Sequence, residues 1–143
     1  MRHWVIDTNV VVSGLLNPHG HSARILNAMV DGRVKLVYDA RILAEYRDVL
    51  SRPRLRLAPN KITAFLGALH GPMLVTPAAL TTAGPDPDDI IFLEAALTTG
   101  DKTIVTGNLA HYPPDILHGA RVLTPAQAAA ELSQGAGGPA RPG

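Results

Sequence analysis

The chain has 143 residues, 46% of them hydrophobic and 17% charged, with a formal net charge of +1; this composition suits one soluble folded domain and excludes a wholly disordered chain or a coiled coil. It contains no cysteine, which excludes disulfides, thiolate zinc sites and cysteine nucleophiles and makes a cytoplasmic location the expectation. No apolar run approaches the roughly 20 residues of a membrane helix, the stretch from Trp4 is broken at Asp7 so that no signal-peptide layout forms, and a net charge near zero points to no partner.

The opening run, Trp4-Val5-Ile6 before Asp7-Thr8-Asn9, is apolar throughout and stops abruptly at an acid. A strand covered on both faces has this pattern, and Asp7 then stands at its carboxyl end, the edge where open α/β sheets bind ligands. Asp7 is equally well read as a helix cap for the backbone N–H of Asn9 or Val10. A short helix is expected over 9–16, stopped near Asn17-Pro18. A helix over 22–30 follows, with Ile25, Leu26 and Met29 at core spacing. Residues 34–38 form the second strand, and Asp39 caps a helix to about Ser51, where Pro53 blocks continuation.

A helix over 60–70 presents Ile62, Phe65, Leu66 and Leu69 on one face, before a short strand over 73–76. Asp86 and Pro87 make a favoured N-cap and first-turn pair for an apolar helix reaching about Thr99. Residues 103–106 and 120–123 are strands, and Thr124-Pro125 opens a last helix to about Leu132. Strands alternating with helices imply parallel pairing through right-handed crossovers, so the class is a three-layer α/β/α sandwich. Residues 1–133 make one domain, and 134–143, rich in Gly, Pro and Ala, a disordered tail.

The twelve carboxylates can be weighed singly. Asp39 and Asp86 serve as caps, Asp31, Asp101 and Asp115 lie in turns or loops, and Glu131 is near the chain's end. In the helix from Asp39, Glu45 borders the apolar face of Ile42, Leu43, Tyr46, Val49 and Leu50, while Asp48 points outward. In the helix from Asp86, Asp89 falls on the stripe of Leu93, Ala96 and Leu97, Asp88 is explained by the helix dipole, and Glu94 is a fifth candidate. Asn108 follows the strand that ends at Thr106. Asp7, Glu45, Asp89 and Asn108 thus reach one sheet rim from four distant segments.

Convergent acids raise one another's pKa unless a cation holds them ionised. Hard oxygen donors of this kind suit Mg²⁺ or Mn²⁺, and such a site can activate water and stabilise the leaving oxygen of a phosphodiester. No Walker A run, Gly-x-Ser-x-Gly or helical His pair competes with this reading. His111 and His118 lie in loops and carry no assigned role. Arg41, Arg47, Arg52, Arg54, Arg56 and Lys61, six of the thirteen basic residues, form either a strip that contacts RNA phosphates or a solvated helix face.

With Asp7-Thr8-Asn9, Glu45, Asp86-Pro87-Asp88-Asp89-Ile90-Ile91-Phe92-Leu93-Glu94-Ala95-Ala96 and Ile104-Val105-Thr106-Gly107-Asn108 in this order, the chain resembles the PIN-domain ribonucleases, many of them toxins of bacterial toxin–antitoxin pairs. The resemblance runs from Val5 to about Leu132. It implies a parallel sheet of about five strands and a Mg²⁺- or Mn²⁺-dependent endoribonuclease. Asp7, Glu45 and Asp89 would be its acidic metal-site residues, and Asn9 and Thr106 its supporting polar residues. It also implies an antitoxin partner and frequent homodimers. The departure is Asn108, where many members carry a fourth acid; Asn keeps a carbonyl oxygen but no charge. Two other readings are a catalytically weak PIN module that binds RNA or protein, and a haloacid-dehalogenase-type phosphatase, which wants an acid where Asn9 stands.

Overall fold

A computed structural model describes residues 2–69, 71–77, 79–80 and 87–137, with the side chains of 87–88 and 135–137 left out. The strands are β1 (Arg2–Ile6), β2 (Val34–Tyr38), β3 (Met73–Leu74), β4 (Thr103–Val105) and β5 (Arg121–Leu123). They form a single five-stranded sheet, parallel throughout, in the order β3-β2-β1-β4-β5. Its helices are α1 (Thr8–Leu16), α2 (His21–Val30), α3 (Ala40–Leu50), α4 (Pro59–Ala68), α5 (Pro87–Ala96) and α6 (Pro125–Gly137).

The central strand shows why the apolar run had to be buried. Trp4, Val5 and Ile6 are each 0% exposed, and successive strand residues point to opposite faces, so helices cover both. The architecture is the three-layer α/β/α sandwich expected. α5 lies against β1, β2 and β4, and α2 packs between α1 and α6. Phe92, Leu93, Ala95 and Ala96 of α5 are all buried, which is why that helix reads as apolar nearly all round.

Local signals set the helix starts. Asp39 accepts from the backbone N–H of Ile42 at 3.0 Å, satisfying an orphan donor of α3. The cap expected at Asp86 and the outward turn expected of Asp88 lie outside the described residues, as does His70, where α4 was expected to end. α4 closes at Leu69, whose backbone is extended, and α6 continues to Gly137, five residues past Leu132. β3 is shorter than expected because only Met73 and Leu74 pair with β2; Val75 adds one further bond to the Tyr38 carbonyl.

The strand order places the candidate site. The chain steps outward from β1 through β2 to β3, then returns past β1 to β4. β1 and β4 are therefore neighbours, in register from Trp4 beside Thr103 to Ile6 beside Val105. A ligand crevice opens at the carboxyl ends of strands where the order reverses in this way, and Asp7 and Thr106 are the first residues beyond those two strand ends.

Candidate active site

Asp7 occupies the N-cap position of α1, yet its side chain makes no capping bond. It turns instead into the crevice. Thr106 donates its hydroxyl to Asp7 Oδ2 at 2.8 Å, and the Tyr112 hydroxyl stands 3.5 Å from the same oxygen. Asp7 is only 5% exposed, and burial raises its pKa above the ordinary carboxylate value. Hydrogen bonds from Thr106, the Thr8 backbone and Asn9, and the field of His111, pull the other way without cancelling it. Tyr112 and Tyr46 are both pushed up, first by burial and then by the Asp7 charge, so both phenols stay protonated and can donate.

Asn9, in the first turn of α1, clamps the loop after β4. Its amide oxygen accepts from the backbone N–H of Gly107 at 2.8 Å, and its amide nitrogen lies 3.5 Å from Thr106 Oγ1. A Cβ at Gly107 would stand 3.0 Å from that same Asn9 oxygen, so any larger residue would have to push it back by a few tenths of an ångström. Thr106 Oγ1 also accepts from the backbone N–H of Asn108 at 3.0 Å. One hydroxyl thus ties β1, α1 and the post-β4 loop together. Thr106 bonds the first carboxylate directly, and Asn9 holds the loop that carries Thr106.

Glu45 reaches the same place from α3. Its neighbour Tyr46 is fully buried and donates its hydroxyl to the carbonyl of Ile6, the residue before Asp7, which fixes that turn of α3 against the end of β1. Asp89 arrives from the first turn of α5, with a side chain 14% exposed and Oδ2 lying 3.2 Å from His111 Nδ1. Asn108, exposed, stands at the N-cap position of the 3₁₀ turn Leu109–His111 without a side-chain capping bond. Asp7, Asn9, Glu45, Asp89 and Asn108 line one cleft of about 370 Å³, joined by Arg54 and His111.

The donors offered to a cation are hard oxygens of the kind that Mg²⁺ and Mn²⁺ take, and a carboxylate as buried as Asp7 gains from a cation beside it. In chemical type the residues fit such an ion. Among the described residues no three acids or histidines stand close enough to hold one together.

The basic strip divides. Arg41 is bridged by Asp39 at 2.7 Å and Glu94 at 2.6 Å. Glu94, buried and also accepting from the Leu80 backbone N–H at 2.7 Å, belongs to that cluster beside β3 and not to the cleft. Arg52 pairs with Asp48 at 3.2 Å, Arg47 faces a groove between α3 and α4, and Arg54 lines the acidic cleft from the 3₁₀ turn Pro53–Leu55.

Two residues at the cleft escaped sequence reasoning. His111 and Tyr112 sit in a segment without periodicity, read as plain loop, and only the short path from Thr106 through Asn108 carries them back toward Asp7.

The model of the PIN domain matches residues 3–110, from β1 to the 3₁₀ turn that carries His111. The chain is a PIN-domain protein. PIN domains are in general nucleases that bind RNA and use divalent metal ions. An uncharacterized protein of Methanocaldococcus jannaschii is 30% identical over 112 residues, covering 71% of this chain and 72% of its own length. No solved structure matches this PIN domain. The matched span holds Asp7, Glu45, Asp89 and Asn108 but stops just short of His111 and Tyr112. Among the described residues of the PIN domain no helix is long and apolar enough to cross a membrane.

Proposed function

We propose that this PIN-domain protein is a Mg²⁺- or Mn²⁺-dependent endoribonuclease in which Asp7, Glu45 and Asp89 hold the metal, with Asn108 as a neutral fourth donor. One observation carries the reading: these residues come from four distant segments and line a single cleft at the β1/β4 crevice. A divalent cation bound there would acidify an attacking water and stabilise the charge that develops on the phosphate. The chain's own groups have separate tasks. Thr106 and Asn9 hold Asp7 and the loop after β4 in place; Tyr46 fixes the helix that carries Glu45; Arg54 offers a guanidinium to a phosphate entering the cleft. Arg47 is the outlying basic residue for the rest of an RNA strand, whereas Arg41 and Arg52 are already engaged by carboxylates. In this reading the enzyme is cytoplasmic, works as the toxin of a toxin–antitoxin pair held by a cognate antitoxin protein, and forms a homodimer.

The test is cleavage of a labelled single-stranded RNA with Mn²⁺, with Mg²⁺ and with EDTA, using wild type and Asp7→Asn purified in parallel. Metal-dependent cutting that falls at least about a hundredfold in the mutant, the scale of losing one group that stabilises transition-state charge, is the expected result. Cutting that survives EDTA or the substitution would remove the metal site from the mechanism.

A further inference from the structure

Among the described residues lining the cleft, the imidazole of His111 stands beside one of the acids. His111 Nδ1 and Asp89 Oδ2 lie 3.2 Å apart, and both residues line the cleft that holds Asp7 and Glu45. Two donors at right angles around an octahedral ion, each about 2.1 Å from it, stand about 3 Å apart. In the metal-free cleft that separation is an ion pair's, and it needs little change to become that of two adjacent donors on one cation.

The histidine is carried by the site's own scaffold. Its backbone N–H donates to the Asn108 carbonyl at 3.0 Å, the Asn108 N–H donates to Thr106 Oγ1 at 3.0 Å, and Thr106 donates to Asp7. His111 therefore sits three residues beyond the position where the fourth donor lost its charge. A nitrogen donor there changes which ion the cleft prefers, because imidazole binds first-row transition cations well, whereas Mg²⁺ selects oxygen and keeps its waters.

Resting on the metal-dependent reading above, we propose that His111 is a direct nitrogen ligand of the cleft's divalent cation, beside Asp89, so that the site selects a first-row transition metal over Mg²⁺.

The test needs no RNA and no turnover. Mn²⁺ is titrated into wild type and His111→Gln by electron paramagnetic resonance of the free ion, with Mg²⁺ as competitor, and the bound ion is then examined by spin-echo modulation. Wild type should show modulation from an imidazole nitrogen. His111→Gln should abolish it and weaken Mn²⁺ binding at least about tenfold, the lower end of what is lost when even an outer-shell partner is removed, while Mg²⁺ binding stays unchanged. The half-exposed side chain leaves the core intact in the variant, and the wild-type spectrum is decisive without it. Mn²⁺ bound with no nitrogen signal, and equally well by both proteins, overturns the ligand assignment and leaves the metal-dependent nuclease standing. Failure of wild type to bind Mn²⁺, Co²⁺ or Mg²⁺ overturns both.

Discussion

Asp7 is a carboxylate that the fold holds at a cost. Burial is the largest influence on it and disfavours the charge, since its hydrogen bonds from neutral donors replace only part of the lost hydration. Asp7→Asn keeps the shape and an oxygen that can accept from Thr106, and removes the charge. The thermal midpoint of the metal-free protein should therefore rise by a few degrees, the scale of about 1 kcal/mol in a domain of this size. A scanning-calorimetry midpoint equal to or below wild type would show that the charge is already well compensated. Asp7 was legible because it directly follows a strand end that hydrophobic pattern defines, whereas Asn9 and Thr106 were picked out only by the resemblance to the PIN-domain ribonucleases. His111 and Tyr112 were not, because nothing local says that Tyr112 is buried or that Nδ1 of His111 faces Asp89. The cap reading of Asp7 was a fair competitor from sequence, and only the direction of its side chain removes it.

At the scale of elements, start signals were easier to read than stops. Asp39 and Pro125 fix their helices by backbone chemistry, whereas α6 runs on through Gly135 to Gly137, where composition suggested a tail. Glu131, set aside in sequence as a residue near the chain's end, fastens that helix to the amino edge of the sheet. It takes two bonds from Arg121, at 2.6 and 3.1 Å, and one from Arg2 at 3.3 Å, so that β1, β5 and α6 meet on one carboxylate. The Arg121 and Arg2 guanidiniums hold its pKa below the ordinary value of 4.5. A carboxyl group whose pKa is lower in the folded state stabilises the fold above its unfolded pKa and loses that contribution as pH falls through the folded one. Glu131→Gln should accordingly cost about 1 kcal/mol at pH 7, the upper end for a partly exposed pair. The difference from wild type in urea-denaturation midpoint should shrink as pH drops below 4.5. A difference that persists unchanged at pH 3 would assign the loss to packing.

For the whole molecule, the class and the parallel sheet followed from the alternation of apolar strands with amphipathic helices, but the strand order did not. Periodicity cannot say that the chain returns past β1 after β3, and that return is what brings Thr106 beside Asp7. The same folding-up divides the basic strip, which looks continuous along positions 41–61. Arg52 spends its charge on Asp48 and Arg41 spends its own on Asp39 and Glu94, so the charge that faces the acid cleft is Arg54. Phosphate contacts release counterions, and on single strands each contributes a slope of about 0.7 in log affinity against log salt. Arg54→Ala should weaken binding of single-stranded RNA, measured by fluorescence anisotropy in EDTA from 50 to 200 mM salt, and flatten the slope by about that amount. Arg52→Ala, whose guanidinium already has a carboxylate partner, should change neither. A slope that flattens equally in both variants would return the contact to the strip as a whole, and one that flattens only with Arg52→Ala would move the RNA path off the cleft.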